Sequence, residues 1–163
     1  MTLKVGEKAR DFELYGKEAG ADAPTYRLSD ALARGGVVLQ FFPLPFTRTC
    51  LAQMCAVRDD VDRYSGQGVT VWGATGHYPQ LIAAWDREND FGVPILADYD
   101  HEVSRAYVGL YEDVLPLNLR LTTKRGVVGI SHDGTVGYIW TAETTSEAPS
   151  DEVVGAAIRA ATG

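Results

Sequence analysis

A mixed α/β fold, with a central β-sheet flanked by helices, is predicted by three patterns in this sequence. Two short apolar runs, at 37–42 and 69–74, follow glycine-containing turns and are typical of buried strands. Between them, apolar residues recur at spacings of three and four over 50–64, which predicts a helix with one buried face. Residues 126–140 have the pattern of a β-hairpin with an Asp-Gly turn. This order, a strand, a helix and a second strand followed later by a hairpin, is typical of the α/β class.

Three shorter elements follow the second strand. Spaced apolar residues predict a helix over 78–90. A short strand over 93–96 contains Pro94, which cannot donate a backbone hydrogen bond and therefore indicates a sheet edge or a strand start. A short helix is expected over 100–109, because a glycine closes that segment. Helices and strands thus continue to alternate.

The last segment carries the signals of a helix start. Ser150 is a candidate N-cap, and two acidic residues follow it in the first turn. Residues 16–24 and 141–149 have the composition of loops. The order of elements predicts a thioredoxin-like sandwich, with a central mixed β-sheet flanked by helices, formed by a single domain over 1–163.

Composition narrows the range of functions. The chain has 163 residues, of which 45% are apolar and 23% charged, as in an ordinary globular domain. Its net charge of −7 argues against a nucleic-acid partner, since phosphates require a basic surface. The sequence has no apolar run long enough to cross a membrane and no apolar leader segment. We therefore expect a cytoplasmic protein without a membrane partner.

The two cysteines, Cys50 and Cys55, are the only ones in the chain and lie five residues apart. In a reducing compartment, a close pair is more often redox-active or metal-binding than structural. Cys50 follows a buried strand and begins the predicted helix. The unpaired N–H groups and the positive end of the helix dipole there favour a thiolate, which is the reactive form. Cys50 is therefore the candidate nucleophile, and Cys55 lacks this advantage.

The spacing of the cysteines constrains their chemistry. In an ideal helix, residues five apart have Cα atoms separated by about 8.7 Å, whereas a disulfide tolerates up to about 7 Å. The pair cannot oxidise unless the first turns of the helix unwind. The alternatives are that Cys55 is simply a small buried residue, or that both cysteines bind zinc. No metal is expected, because the histidines show no ligand spacing: His77, His101 and His132.

The loop before the helix contains Pro43 and Thr47, which with Cys50 form P-x-x-x-T-x-x-C. Proline fixes its own φ and can shape a pocket beside a thiolate, while a threonine hydroxyl can position a small two-oxygen substrate. Behind an "FF" strand and ahead of a helix, this pattern resembles the signature of the peroxiredoxins. Blocks from "VGEKARDFEL" to "TKRGVVGISHDGTV" resemble the family in the same order, so the resemblance covers about residues 3–140.

Within that family, "CLAQMCAVRD" is most similar to the Q-type branch, also called bacterioferritin comigratory proteins. The matching positions of C-x-x-Q-x-C-x-x-R-D are Cys50, Gln53, Cys55, Arg58 and Asp59. The resemblance implies that Cys50 attacks peroxide, that Cys55 resolves the resulting sulfenic acid as an intramolecular disulfide, and that a thioredoxin-like dithiol restores both thiols. A single-cysteine enzyme with a structural Cys55 stays open, since "FFPLPFT" also resembles such relatives.

The family also places an arginine against the active cysteine, just before the hairpin strand. Arg125 falls on that position, with Arg120 and Lys124 as nearby competitors. A guanidinium is always charged and forked, so it can stabilise a thiolate and bind peroxide oxygen. The resemblance thus implies a thiol-dependent peroxidase for hydrogen peroxide and organic hydroperoxides, without cofactor, as monomer or homodimer. Its site residues are Pro43, Thr47, Cys50, Cys55 and Arg125.

Three other classes share this fold. A disulfide oxidoreductase is expected to have C-x-x-C at the helix start, and a copper-delivery domain C-x-x-x-C, whereas this chain has C-x-x-x-x-C. A non-catalytic binding domain is expected to have lost the threonine, the cysteine or the arginine. All three residue types are present, which favours the peroxidase.

Overall fold

The computed structural model describes residues 1–18, 20, 22–114 and 117–163. Its strands are β1 (Glu13–Tyr15), β2 (Thr25–Arg27), β3 (Val37–Phe41), β4 (Thr70–Thr75), β5 (Ile95–Ala97), β6 (Leu110–Val114), β7 (Leu119–Thr123), β8 (Gly126–Ile130) and β9 (Val136–Thr141). Its helices are α1 (Leu28–Leu32), α2 (Arg48–Asp59), α3 (Val61–Ser65), α4 (Pro79–Asn89), α5 (Glu102–Tyr107) and α6 (Asp151–Thr162).

A five-stranded mixed sheet forms the centre, in the order β5-β4-β3-β8-β9. β3 pairs in parallel with β4 and antiparallel with β8, so that Leu39 lies opposite both Trp72 and Val128. Every residue of β3 is buried, which explains its nearly continuous apolar sequence. β5 is an edge strand, as Pro94 indicated. The loop that leaves the carboxyl end of β3 therefore starts from the middle of the sheet.

Helices cover both faces of this sheet. On one face, the core includes residues of α2, α4 and α6, among them Met54, Val57, Ile82, Trp85, Ala157 and Ile158. On the other face, α1 and α5 contribute Leu28, Ala31, Val103 and Ala106. α6 approaches β8 so closely that a Cβ at Gly129 would collide with the carbonyl of Ala157. Within the described ranges, no helix combines the length and the apolar character needed to cross a membrane.

The structure corrects several predicted boundaries. The single helix expected over 50–64 is two helices, α2 and α3, which meet at Asp60. α2 begins at Arg48, so Cys50 is its third residue rather than its first. The antiparallel pairs β1–β2 and β6–β7 were not predicted from local pattern. The loop expected over 16–24 connects β1 to β2, and its residues Ala19 and Ala21 lie outside the described part of the chain.

Candidate active site

Cys50 lies in the first turn of α2, directly behind the loop that leaves β3. Its side chain is fully buried, with no exposed surface. Thr47 occupies the N-cap position of α2, but its hydroxyl donates to the carbonyl of Leu44 at 2.6 Å and makes no capping bond to the helix. The N–H groups of the first helical turn are therefore not satisfied by a side-chain cap, and they lie next to the cysteine.

Arg125 lies against Cys50. It immediately precedes β8, is 1% exposed, and directs Nη1 and Nη2 at the Cys50 sulfur, each at 3.4 Å. The competing arginine from the sequence, Arg120, is on the exposed hairpin and lies 3.6 Å from Asp113. Lys124 places its Nζ 6.0 Å from the ring centroid of Tyr111. Arg125 is therefore the cation that contacts the sulfur.

Neutral acceptors hold this guanidinium. Nη1 donates to Gln53 Oε1 at 2.7 Å, and Nη2 donates to the carbonyl of Thr145 at 2.6 Å. Among the described residues, no carboxylate forms a salt bridge with Arg125. A buried charge without an opposite charge is unfavourable, so a Cys50 thiolate is the natural counter-charge.

The backbone around Arg125 is also fixed. Its N–H donates to the hydroxyl of Tyr111 at 3.3 Å, and that hydroxyl donates to the carbonyl of Ala142 at 3.0 Å. Tyr111 lies in β6, so the hairpin that sequence patterns missed helps to place the arginine. The Thr145 carbonyl belongs to the loop predicted over 141–149. Every residue has a backbone carbonyl, so the sequence gives no sign that the Thr145 carbonyl accepts from Arg125.

Pro43 and Thr47 share a surface pocket of about 300 Å³ with Arg125. Leu44 and Leu117 add apolar surface to the same pocket. Cys50 itself has no exposed surface and does not line this pocket. A peroxide can therefore reach the sulfur only after the residues that cover Cys50 move.

The carbonyl of Pro43 is itself anchored. His77 Nε2 lies 3.0 Å from it, and the Thr75 hydroxyl donates to it at 3.5 Å. Between Pro43 and Thr47, Phe46 has a positive φ of 67° and is 52% exposed. A left-handed conformation is unfavourable for an aromatic residue. The loop in front of the cysteine is therefore held in a strained shape.

Cys55 is the eighth residue of α2 and is half-buried beside the core. Both cysteines are free thiols. The structure thus brings four of the sequence-predicted residues around one point, namely Pro43, Thr47, Cys50 and Arg125, and places Cys55 farther along the helix. No group of three or more metal-ligating side chains occurs in the described part of the chain.

The fold and the site together define a class of mixed α/β proteins in which a cysteine in the first turn of a helix contacts a buried arginine. Comparison with known proteins identifies the family. The model of the AhpC/TSA family matches residues 5–139. The chain is 32% identical over 139 residues to a chloroplastic 2-cysteine peroxiredoxin of Chattonella marina var. antiqua, covering 78% of this chain and 69% of that protein. It is 28% identical over 105 residues to peroxiredoxin Bcp of Escherichia coli K12, covering 64% of each.

A solved structure confirms the fold. Peroxidoxin BcpB of Mycobacterium tuberculosis superimposes with a TM-score of 0.79 at 23% identity, covering 97% of this chain and 96% of that one. The chain therefore belongs to the AhpC/TSA family and is a peroxiredoxin, with Bcp proteins among its relatives. The predicted thioredoxin-like sandwich is confirmed.

Proposed function

We propose that this chain is a thiol peroxidase that reduces hydrogen peroxide and organic hydroperoxides through Cys50. One observation carries the proposal: both terminal nitrogens of the buried Arg125 lie 3.4 Å from the Cys50 sulfur. Because the guanidinium stays protonated and has no carboxylate partner in the described structure, it favours the thiolate. Peroxidase activity also agrees with the family to which the chain belongs.

In the first step, the Cys50 thiolate attacks one peroxide oxygen. A sulfur–oxygen bond forms, the oxygen–oxygen bond breaks, and the leaving oxygen takes a proton to become water or an alcohol. Arg125 and the N–H groups at the start of α2 stabilise the charge on that oxygen, and the Thr47 hydroxyl orients the substrate. Pro43 shields the site from bulk water. Cys50 is left as a sulfenic acid.

In the second step, Cys55 attacks the sulfenic acid, releasing water and forming an intramolecular disulfide. Residues five apart in a helix are too far separated for this bond, so the start of α2 must unwind. Two features favour unwinding. The first turn has no side-chain cap, and it contains Arg48 with no acidic residue, which opposes the helix dipole. A thioredoxin-like dithiol then reduces the disulfide by exchange.

Replacing the nucleophile tests this proposal. Cys50→Ser removes the thiolate, and we expect peroxide consumption to disappear while the fold, followed by circular dichroism, is retained. Activity that survives in the folded variant contradicts the assignment of Cys50.

Replacing the second cysteine tests the resolving step. Cys55→Ser is expected to consume about one equivalent of peroxide and then to stop cycling with a thioredoxin-like reductant. Since Cys55 packs partly against the core, a structural role is the competing interpretation. Unchanged cycling in this variant favours the single-cysteine enzyme, in which an external thiol resolves Cys50.

A further inference from the structure

Gln40 is a buried amide in the middle of the central sheet. It lies in β3, where all five residues are buried, and it has no exposed surface. Its neighbours two residues away on the same face, Val38 and Phe42, belong to the core beneath α2. Burying an amide is unfavourable unless both of its ends are hydrogen-bonded. The partners of Gln40 therefore indicate why an amide is present in this strand.

Those partners connect Gln40 to the arginine at the active site. Gln40 Oε1 accepts from Gln53 Nε2 at 2.8 Å, and Gln40 Nε2 donates to the hydroxyl of Tyr64 at 3.1 Å. Gln53 Nε2 also donates to the carbonyl of Phe41 at 3.2 Å, while Gln53 Oε1 accepts from Arg125 Nη1 at 2.7 Å. A continuous buried chain of hydrogen bonds thus runs from Tyr64 to the guanidinium.

The direction of this chain is set by the arginine. A guanidinium can only donate, so the Gln53 oxygen must face Arg125 and its nitrogen must face Gln40. The Gln40 oxygen must then face Gln53, and its nitrogen must face a hydroxyl that can accept. Tyr64 is 1% exposed and provides that hydroxyl; burial raises its pKa, so it remains an uncharged phenol. If Gln40 were reversed, two NH₂ groups would face each other.

We propose that Gln40 is a positioning residue for Arg125. It acts through Gln53: by accepting from the Gln53 amide, it keeps the Gln53 oxygen turned toward the guanidinium and so aims both terminal nitrogens at the Cys50 sulfur. Tyr64 fixes the amide of Gln40 in the orientation that this requires. The inference rests on the proposed peroxidase function.

Gln40→Met tests the proposal, because methionine has a similar shape but cannot donate and accepts only weakly. Without the Gln40 acceptor, the Gln53 nitrogen keeps only the Phe41 carbonyl, at the longer distance of 3.2 Å, and the Gln53 oxygen holds Arg125 less firmly in line with the Cys50 sulfur. We expect the second-order rate of the reduced protein with hydrogen peroxide to fall about tenfold, as for partial loss of a charge-stabilising donor. We also expect the pH profile of Cys50 alkylation by iodoacetamide, followed by peptide mass, to move to higher pH.

Ser104→Ala is the matched control. Its hydroxyl is equally buried and is bonded to Asp98 at 2.6 Å and to Thr123 at 2.9 Å, but it lies on α5, beneath the opposite face of the sheet. This variant is expected to unfold at a lower temperature while keeping the peroxide rate and the alkylation profile. A folded Gln40→Met that reacts within twofold of the natural protein, with an unshifted profile, overturns the proposal.

Two further variants keep the test decisive. In Gln40→Glu, burial favours the protonated acid, whose carbonyl accepts from Gln53 and whose hydroxyl donates to Tyr64; we expect its rate to stay within about threefold of the natural protein. Losses equal to those of Gln40→Met contradict the proposal. If Gln40→Met does not fold, Tyr64→Phe is expected to lower the rate about threefold, and an unchanged rate overturns the inference.

The two proposals fail in different ways. Activity in Cys50→Ser removes the peroxidase assignment itself. Loss of activity in Cys50→Ser, together with a normal rate in Gln40→Met, removes only the role of Gln40.

Discussion

The helices α2 and α6 have twelve residues each and cover the same face of the sheet, yet their N-termini are built in opposite ways. At α6, the hydroxyl of Ser150 accepts from the N–H of Val153 at 3.2 Å, and two acidic residues follow in the first turn. At α2, the hydroxyl of Thr47 bonds to Leu44 instead, and the first turn contains Arg48 with no acidic residue.

The difference separates stability from reactivity. A side-chain cap is worth about 1 kcal/mol, and acidic residues in the first turn add a few tenths more. The N-terminus of α6 has both a side-chain cap and acidic residues, so it is the more stable of the two helix starts. α2 leaves its first N–H groups without a side-chain cap, beside Cys50, where the proposed mechanism uses them to stabilise negative charge. A helix start of low stability also opens more easily, as the proposed resolving step requires.

The largest loss of peroxide reactivity is expected when Arg125, the cation beside the start of α2, is replaced. Arg125→Met keeps the volume but removes both N–H groups from the Cys50 sulfur. We expect the second-order rate with hydrogen peroxide, measured by stopped flow, to fall by about 100-fold or more.

Arg120→Met is the matched control for this prediction. It removes an arginine from the exposed β6–β7 hairpin, whose pairing with Asp113 at 3.6 Å is too exposed to matter for the site. Its rate is expected to be unchanged. Similar rates for the two variants mean that Arg125 does not assist the thiolate.

Hydrogen exchange compares the two helix starts directly. Leu51 N–H donates to the Thr47 carbonyl at 2.9 Å, and Val154 N–H donates to the Ser150 carbonyl at 3.1 Å, so the two amides occupy equivalent positions. Since only α6 is capped, we expect the Leu51 amide to exchange about fivefold faster or more, after correction for intrinsic rates. Equal protection by NMR contradicts the view that α2 is the more easily opened helix.

Removing the α6 cap should affect stability without affecting chemistry. Ser150→Ala loses the bond from Val153, and we expect the free energy of unfolding to fall by about 1 kcal/mol, with Tm lower by about 2–4 °C. The peroxide rate should not change. A fall in rate means that α6 also supports the site.

The smallest effect concerns His77, which contacts the Pro43 carbonyl in front of α2. Burial lowers the pKa of His77, and the nearby His101 lowers it further. The hydrogen bond to the Pro43 carbonyl acts in the opposite direction and raises this pKa in part. The unfolded chain, with a histidine pKa near about 6.5, therefore binds more protons than the folded one. This contribution to stability is present above that pH and is lost as pH falls toward the folded-state pKa.

Urea unfolding between pH 7.5 and 5 measures this effect. His77→Gln removes the titrating ring, so its stability should decrease less over that range than the stability of the natural protein. Parallel curves for the two proteins contradict the prediction.

Sequence patterns predicted the elements whose apolar residues face the core. β3, β4, the β8–β9 hairpin and the helix after the cysteine loop all have this property, and the Ser150 cap was confirmed. The β6–β7 hairpin was missed. Its alternating residues Leu119 and Leu121 face solvent, at 38% and 50% exposure, so this hairpin lacks the buried apolar face on which the other predictions rested. β1 and β2 have three residues each, too few to show a period.

The site residues also fall into those that the sequence predicted and those that it did not. The loop and its P-x-x-x-T-x-x-C spacing were visible in the sequence, and the family resemblance selected Arg125 over Arg120. Gln40 appeared there only as one polar letter in an apolar strand. Its meaning depends on contacts with residues 13 and 24 positions away, which no local pattern records.

Peptide mass spectrometry of the reduced protein after one equivalent of hydrogen peroxide tests most directly whether the Cys50 sulfur is the atom that peroxide oxidises. The account predicts a chain lighter by two hydrogens, with one linked peptide joining Cys50 to Cys55. Peroxide left unconsumed, or an oxygen found on a methionine while Cys50 remains a free thiol, would contradict it.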